Sequence, residues 1–175
     1  DQSAVNVWRN MVWAFRRPAR ILGFSGGVDS FYSLYNLHLS HSSKSAKITH
    51  LAFNDCGSHG HRSRQAVRLR KNRLKRVKAV GKDLDLPVIE IRSNMDKLYR
   101  GISFEETFTL RNIACSLLLQ SRHAHFFYSS AHSYKRLHEG DSISWVEPFL
   151  FPLFSTRGLK LFIEGCATSR PAKIE

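Results

Sequence analysis

Hydrophobic and polar positions along the chain predict short strands alternating with helices. Apolar runs bounded by turn residues predict strands at residues 20–24, 48–54, 87–92 and 124–129. Apolar residues at helical spacing predict helices at residues 3–17, from the loop after the first strand to about 41, and at 62–84, 104–120 and 156–163. Pro18 ends the first helix, and the third is either broken by Gly81 or ended before Pro87. We expect an irregular segment around residues 148–152.

Strands that alternate with helices predict a parallel sheet with right-handed crossovers. We therefore expect an α/β fold: a doubly wound, mainly parallel, Rossmann-like sheet of five strands with helices on both faces. No repeat or linker divides the sequence, so residues 1–175 are expected to form one domain. Ligands of such sheets bind outside the carboxyl ends of the strands, at the topological switch point. The loops after the first, second and fourth strands are therefore the expected site.

Residues 25–30 read Ser-Gly-Gly-Val-Asp-Ser and join the first strand to the next helix. Two glycines let the backbone turn tightly and approach an anion. The free N–H groups of the first helical turn then face phosphate oxygens, and Asp29 and Ser30 suit that turn as short polar residues. No Gly-Lys-Ser/Thr follows at the spacing of a Walker A loop. The segment predicts a phosphate-binding loop of another kind.

This hexapeptide resembles the pyrophosphate loop of the PP-loop ATP pyrophosphatases, the adenine nucleotide α-hydrolase-like superfamily. The resemblance implies that the loop holds the β- and γ-phosphates of ATP and that Asp29 binds a Mg²⁺ bridged to them. Helix capping is the alternative role for Asp29. By the same resemblance, Asp29 and Ser30 are candidate catalytic residues. The residues it assigns to ATP binding in this loop are Phe24, Ser25, Gly26, Gly27, Val28, Asp29 and Ser30.

Three later segments extend the resemblance to residues 20–174. In PP-loop enzymes the backbone at the end of the second strand meets adenine, although an ordinary turn also fits there. A Ser-Ser after the fourth strand and a late Ser-Arg-x-x-Lys-Ile motif resemble a poorly characterised PP-loop subgroup. That subgroup continues into a Cys-x-x-Cys segment, so we expect that a C-terminal part is missing. The binding residues implied are Phe53, Asn54, Ser129, Ser130, Arg170 and Lys173.

Arg111 is the third candidate catalytic residue. It lies four residues after Thr107, so the two share one face of the predicted helix. A guanidinium binds phosphate bidentately, so Arg111 can clamp the α-phosphate or an acidic substrate. A solvated surface arginine is the alternative.

The reaction implied by the resemblance is adenylation of a substrate oxygen with release of pyrophosphate, followed by displacement of AMP by a second nucleophile. We expect a Mg²⁺-dependent ligase or synthetase that acts on a small molecule, with amide or nitrile formation as examples. One alternative is a tRNA-modifying enzyme that thiolates or ligates. Another is a nucleotide-binding module without turnover.

The charge of the chain favours an anionic partner. Lys and Arg number 27 against 14 Asp and Glu, for a formal net charge of +13. A solvated face is the alternative reading, but only Asp83 and Asp85 stand near to balance the run. We therefore expect RNA or another polyanion on the helix 62–82. Its ten cations are Arg62, Arg64, Arg68, Arg70, Lys71, Arg73, Lys75, Arg76, Lys78 and Lys82.

Cysteines, histidines and apolar runs add weaker expectations. Three widely spaced cysteines do not form a disulfide framework and favour a reducing cytoplasm. A sulfur-carrying cysteine pair and a metal site at His59 and His61 are less favoured alternatives. No apolar run approaches the length of a membrane span, so no membrane association is expected. A homodimer is left open.

Overall fold

A sheet of five parallel strands forms the centre of the structure, a computed structural model that describes residues 18–40, 47–59, 63–120, 124–136 and 146–174. The strands lie in the order β3-β2-β1-β4-β5. Their bounds are β1 (Arg20–Gly23), β2 (His50–Asp55), β3 (Val88–Arg92), β4 (Ala124–Ser129) and β5 (Leu159–Glu164). The predicted helix 3–17, His61 and Arg62 lie outside the described residues.

Four helices connect the strands within the described ranges: α1 (Val28–Leu34), α2 (Arg64–Asp83), α3 (Phe104–Leu117) and α4 (Glu147–Leu153). A π-helical turn continues α1 over Tyr35–Leu39. Side chains satisfy the first N–H groups of the two long helices: Ser63 accepts from the amide of Ala66, and Ser103 forms a capping box with Glu106. Three short 3₁₀ helices follow at Met95–Lys97, Tyr134–Arg136 and Pro171–Lys173.

Two apolar layers, one on each face of the sheet, confirm the doubly wound prediction. Leu34 of α1 and Val77 of α2 pack with Leu22 and Leu51 on one face. On the other face lies a layer that includes Ile113 and Cys115 of α3 and Phe151 of α4, together with Ile21 and Phe126. Consecutive strand residues therefore point into different cores, which explains why the neighbours Ile21 and Leu22 of β1 are both apolar.

The fifth strand lies where the sequence predicted a helix over residues 156–163. Leu159 and Leu161 are buried while Lys160 and Phe162 are exposed, so the burial alternates with the period of a strand. The parallel ladder with β4 fixes this pattern because it pairs residues 124–129 with residues 159–164 in register. The helix prediction there was wrong.

Helix α4 departs from the prediction of an irregular segment, whereas α2 follows the second of its two alternatives and ends before Pro87. The segment 148–152 belongs to α4, which tolerates Pro148 in its first turn. Gly81 does not break α2, which continues to Asp83. A Cβ at Gly81 would lie 2.6 Å from Val88 Cγ2 and 2.7 Å from the Leu86 carbonyl oxygen. This glycine therefore allows close packing of helix and strand.

No helix within the described ranges is both long enough and apolar enough to cross a membrane.

Candidate functional site

A cleft of ≈ 280 Å³ opens at the carboxyl ends of β1, β2 and β4. The chain runs outward from β1 to β2 and β3 and then crosses to β4 on the other side of β1. The topological switch point is thus between β1 and β4, where ligands bind in open α/β sheets. The cleft lies at the edge that the sequence predicted.

The phosphate loop borders this cleft through four of its predicted residues: Phe24, Ser25, Asp29 and Ser30. Gly26 adopts a φ of 74°, which favours glycine, and Gly27 is the N-cap of α1. No described side chain caps the first turn of α1, so its N–H groups remain available to an anion. Ser30 instead donates to the carbonyl oxygen of Gly27 at 2.8 Å, which fixes the turn.

The late Ser-Arg-x-x-Lys-Ile motif docks on the phosphate loop. Lys173 Nζ donates to Asp29 Oδ1 at 3.1 Å and to the carbonyl oxygen of Ser130 at 2.7 Å. Arg170 Nε lies 3.7 Å from Asp29 Oδ2. Tyr32 and Thr168 join the two segments by a hydroxyl–hydroxyl hydrogen bond of 2.7 Å. Four residues predicted from three separate segments therefore meet at one point.

Removing this lysine should weaken the fold as well as the loop. We expect Lys173→Met to lower the free energy of unfolding by about 1–3 kcal/mol, the range for hydrogen bonds to charged groups. The Lys173 side chain is 1% exposed, so water cannot replace the lost ammonium. Urea unfolding measures the change, with the exposed Lys160→Met as the control. Equal stabilities of the two variants would contradict the role of this contact.

The other side of the cleft combines two amides with aromatic rings. Asn54, at the end of β2, donates from Nδ2 to Asn112 Oδ1 at 3.1 Å. Phe104 and Phe108 stack at 5.9 Å between ring centroids, one turn apart on α3. Both rings and both amides line the cleft. A flat apolar wall with donors and acceptors beside it suits a purine base.

Three residues that line the cleft each have one buried side-chain atom without a hydrogen-bond partner among the described residues. The atoms are Asn54 Oδ1, His59 Nε2 and Ser129 Oγ. Buried polar atoms are nearly always hydrogen-bonded in folded proteins. These three atoms are closed off from the open space of the cleft, so a ligand would pair with them only after the side chains turn.

His59 and Arg73 form the rim of the cleft beyond β2. Burial, together with the nearby Arg73 guanidinium, lowers the pKa of His59. His59 Nδ1 lies 3.5 Å from Asp55 Oδ1. The lowered pKa favours a neutral imidazole, which leaves Arg73 as the positive charge of this rim. The sequence analysis counted Arg73 among the cations of α2 without assigning it to the cleft.

Arg111 is placed outside the cleft. Its guanidinium is 2% exposed, donates to Thr107 Oγ1 at 2.7 Å and to the carbonyl oxygen of Cys56 at 3.1 Å, and pairs with Asp96. The ring of Tyr99 lies 4.7 Å away. These contacts favour a role in holding the loop after β2. The next residue, Asn112, lines the cleft together with Phe104 and Phe108 of the same helix.

A buried carboxyl group lies beneath the cleft. Glu147, at the start of α4, is 0% exposed and accepts a hydrogen bond from Thr109 Oγ1 at 3.1 Å. Burial raises the pKa of Glu147 to about 8, so the carboxyl is largely protonated at neutral pH. It is also hydrogen-bonded to Tyr128, whose ring stacks on Phe151 and lines the cleft.

Cys56 and Cys115 are neighbours in the structure, although 59 positions separate them in the sequence. Both thiols are buried, free and hydrogen-bonded to each other, and Cys56 lines the cleft. That hydrogen bond and burial raise the pKa of Cys56, which disfavours a reactive thiolate at neutral pH. The same hydrogen bond lowers the pKa of Cys115, so the sulfur-carrying pair stays an alternative.

Asp29 and His59 are the candidate metal ligands named from the sequence that line this cleft. In the described part of the chain no group of three or more His, Cys, Asp or Glu residues is placed to hold a metal ion. A Mg²⁺ here would take most of its oxygens from phosphates and water, as this ion commonly does. Asp29 already faces two cations, of which Arg170 is the exposed one at the longer distance.

Comparison with protein-family models, with curated proteins and with solved structures finds no match to this chain.

Proposed function

We propose that this protein binds ATP in the cleft and uses it to adenylate a substrate, with release of pyrophosphate. The observation that carries the proposal is the phosphate loop itself. Its uncapped first turn borders a cleft that is lined by residues from the carboxyl ends of β1, β2 and β4. The resemblance of residues 25–30 to the pyrophosphate loop of PP-loop enzymes supplies the reaction class.

Each side of the cleft has a proposed part in binding. The N–H groups of residues 28–30 hold the terminal phosphates, and Ser25 adds a hydroxyl donor. The hydroxyl of Ser30 already donates to the Gly27 carbonyl oxygen and positions the turn. Asn54 and Asn112 hydrogen-bond the adenine, which lies against Phe104 and Phe108. Lys173 and Arg170 keep Asp29 at the mouth of the loop, where this carboxylate binds the Mg²⁺ that accompanies ATP.

The proposed step is an in-line substitution at the α-phosphorus of ATP. A substrate oxygen forms a bond to that phosphorus, the bond to the bridging oxygen breaks, and pyrophosphate leaves with the electron pair. The N–H groups of residues 28–30, together with Arg73, which lines the cleft, stabilise the charge on the leaving group. Such catalysis depends mainly on positioning and electrostatics.

The proposed acceptor is a small molecule with a carbonyl or carboxylate oxygen. A base in RNA is the second candidate, and the cations of α2 favour it. The three cysteines are free and buried, which fits a reducing compartment, so we place the reaction in the cytoplasm.

Labelled ATP tests the proposed reaction class. With α-³²P-ATP, Mg²⁺ and a cell extract as the source of acceptor, we expect label in AMP or an adenylated product and the release of pyrophosphate. The control is Asp29→Asn, which should lose most of this activity. ADP as the dominant product would contradict the assignment. ATP binding without any turnover, in the presence of every acceptor supplied, would support the nucleotide-binding module instead.

A further inference from the structure

The solvent-facing side of α2 carries a regular line of cations. At 100° per residue, six side chains fall within about 40° of one line along the helix and span about 27 Å. All six are exposed. They follow one another at spacings of four and three residues, and we call them the cationic stripe: Arg64, Arg68, Lys71, Lys75, Lys78 and Lys82.

The stripe is not needed to hold the protein together. The opposite side of α2 carries Ala66, Val77 and Gly81 and is buried against the sheet. Arg70, which is half-buried, takes the nearest carboxylates: its guanidinium lies 2.9 Å from Glu90 and 3.6 Å from Asp55.

Among the described residues, only one ion pair involves the stripe. Lys78 lies 3.9 Å from Glu90, and no other cation of the stripe has a described carboxylate within 4.0 Å. Like charges at three- and four-residue spacing repel one another and destabilise a helix. The line of charge therefore costs stability unless a partner neutralises it.

We propose that the cationic stripe binds the phosphodiester backbone of a nucleic acid. An extended polyanion matches a row of single charges about 27 Å long, and each cation that neutralises a phosphate releases a counterion. A protein partner fits less well, because interface cores are depleted in lysine and rich in aromatic residues. A membrane fits less well because the apolar face of α2 is already buried.

The stripe also leads to the cleft. Helix α2 begins just after β2, at the carboxyl edge of the sheet, so Arg64 marks the end of the stripe at that edge. Arg73 lines the cleft from the opposite, inward-facing side of the same helix. Where the proposed function holds, on which this step rests, a strand that continues past Arg64 around this edge would bring a nucleotide to the ATP site. The acceptor would then be a nucleobase.

Salt-dependent binding tests the inference. With fluorescent transfer RNA, single-stranded RNA and duplex DNA as probes, we expect binding at low salt by the full chain. The logarithm of the association constant should fall against the logarithm of salt concentration with a slope of about −4 for single strands and about −5 for duplex, if all six cations contact phosphates. The probe bound most tightly identifies the nucleic acid.

Two variants, each with four fewer positive charges, distinguish binding by the cationic stripe from general electrostatic attraction. The first variant should bind nucleic acid at least tenfold more weakly, with the salt slope reduced by about 3. It carries Gln in place of Arg68, Lys71, Lys75 and Lys78. The control replaces Lys97, Arg100, Arg157 and Lys160, which are exposed elsewhere on the chain. This control variant should keep most of the affinity for nucleic acid. Unfolding curves confirm that both variants are folded.

Three outcomes would overturn the inference. These are no nucleic-acid binding at low salt, equal losses in the two variants, and binding only to vesicles with 30% phosphatidylserine or to poly-glutamate. ATP affinity measured on the same variants keeps the two proposals apart. If the wild-type chain binds nucleic acid but does not bind ATP, the proposed function is refuted and the inference about the cationic stripe is retained.

Discussion

Replacing Gly27 by valine should reduce the affinity for ATP at least about 100-fold, which corresponds to roughly 2.7 kcal/mol. Gly27 is the N-cap of α1 and has φ −94° and ψ 170°, a conformation that any residue can adopt. A Cβ built there meets only Ser25 Oγ, at 3.5 Å. The fold therefore tolerates a side chain, and the branched methyl groups occupy space beside the phosphates. Isothermal titration with Mg²⁺ and ATP measures the loss.

A smaller substitution at the same position provides the matched control. Gly27→Ala adds only the Cβ and should keep part of the affinity for ATP. Ala79→Val, at an exposed position of α2, should leave that affinity unchanged. Gly26 is unsuitable for this test because its φ of 74° strains any side chain. A folded Gly27→Val protein that binds ATP like the wild type would rule out phosphates at this loop.

Glu147→Gln should change how stability depends on pH. The folded-state pKa of Glu147 is raised by burial from 4.5 to about 8. The contribution of Glu147 to stability is therefore complete below pH 4.5. It is lost as the pH rises from 4.5 through 8, because over this range only the unfolded chain ionises freely. We expect the stability of the wild type relative to the glutamine variant to fall by something on the order of 3–5 kcal/mol between pH 5 and pH 9.

Glutamine is the appropriate replacement because it keeps an oxygen to accept from Thr109. Denaturant unfolding at pH 5, 7 and 9 gives the comparison, and Glu105→Gln on the exposed start of α3 is the control. That control should show no comparable change over the same range. Parallel pH profiles of the wild type and the Glu147 variant would show that the carboxyl is ionised in the folded protein.

The sequence located most of the cleft because local patterns decide where strands end. Parallel strands place their carboxyl ends at one edge, so Ser25, Asn54 and Ser129 had to come together once β1, β2 and β4 were recognised. The late motif was predicted to join them from resemblance alone. The structure gives a physical reason, since Lys173 supplies a charge to Asp29 and a donor to the Ser130 carbonyl.

Other features depend on packing that a single sequence does not reveal. Residues 104, 108 and 112 share one face of α3, and residues 107 and 111 share the adjacent face. Both faces carry polar residues, so spacing alone could not decide between Asn112 and Arg111. Arg73 did leave a signal, because it is a cation among the inward-facing residues of an amphipathic helix. Strand β5 was missed because its six residues fit a short helix equally well.

The contact between Asp29 and Lys173 also determines when the site can form. These two residues are 144 positions apart, and a protein is made from its amino terminus onward. The phosphate loop is synthesised early, whereas its buried lysine follows β5 and is made only after all five strands. Contacts this distant in sequence close late because the intervening chain must first be ordered. A nascent chain would therefore complete the contact that holds Asp29 only after the whole sheet has been made.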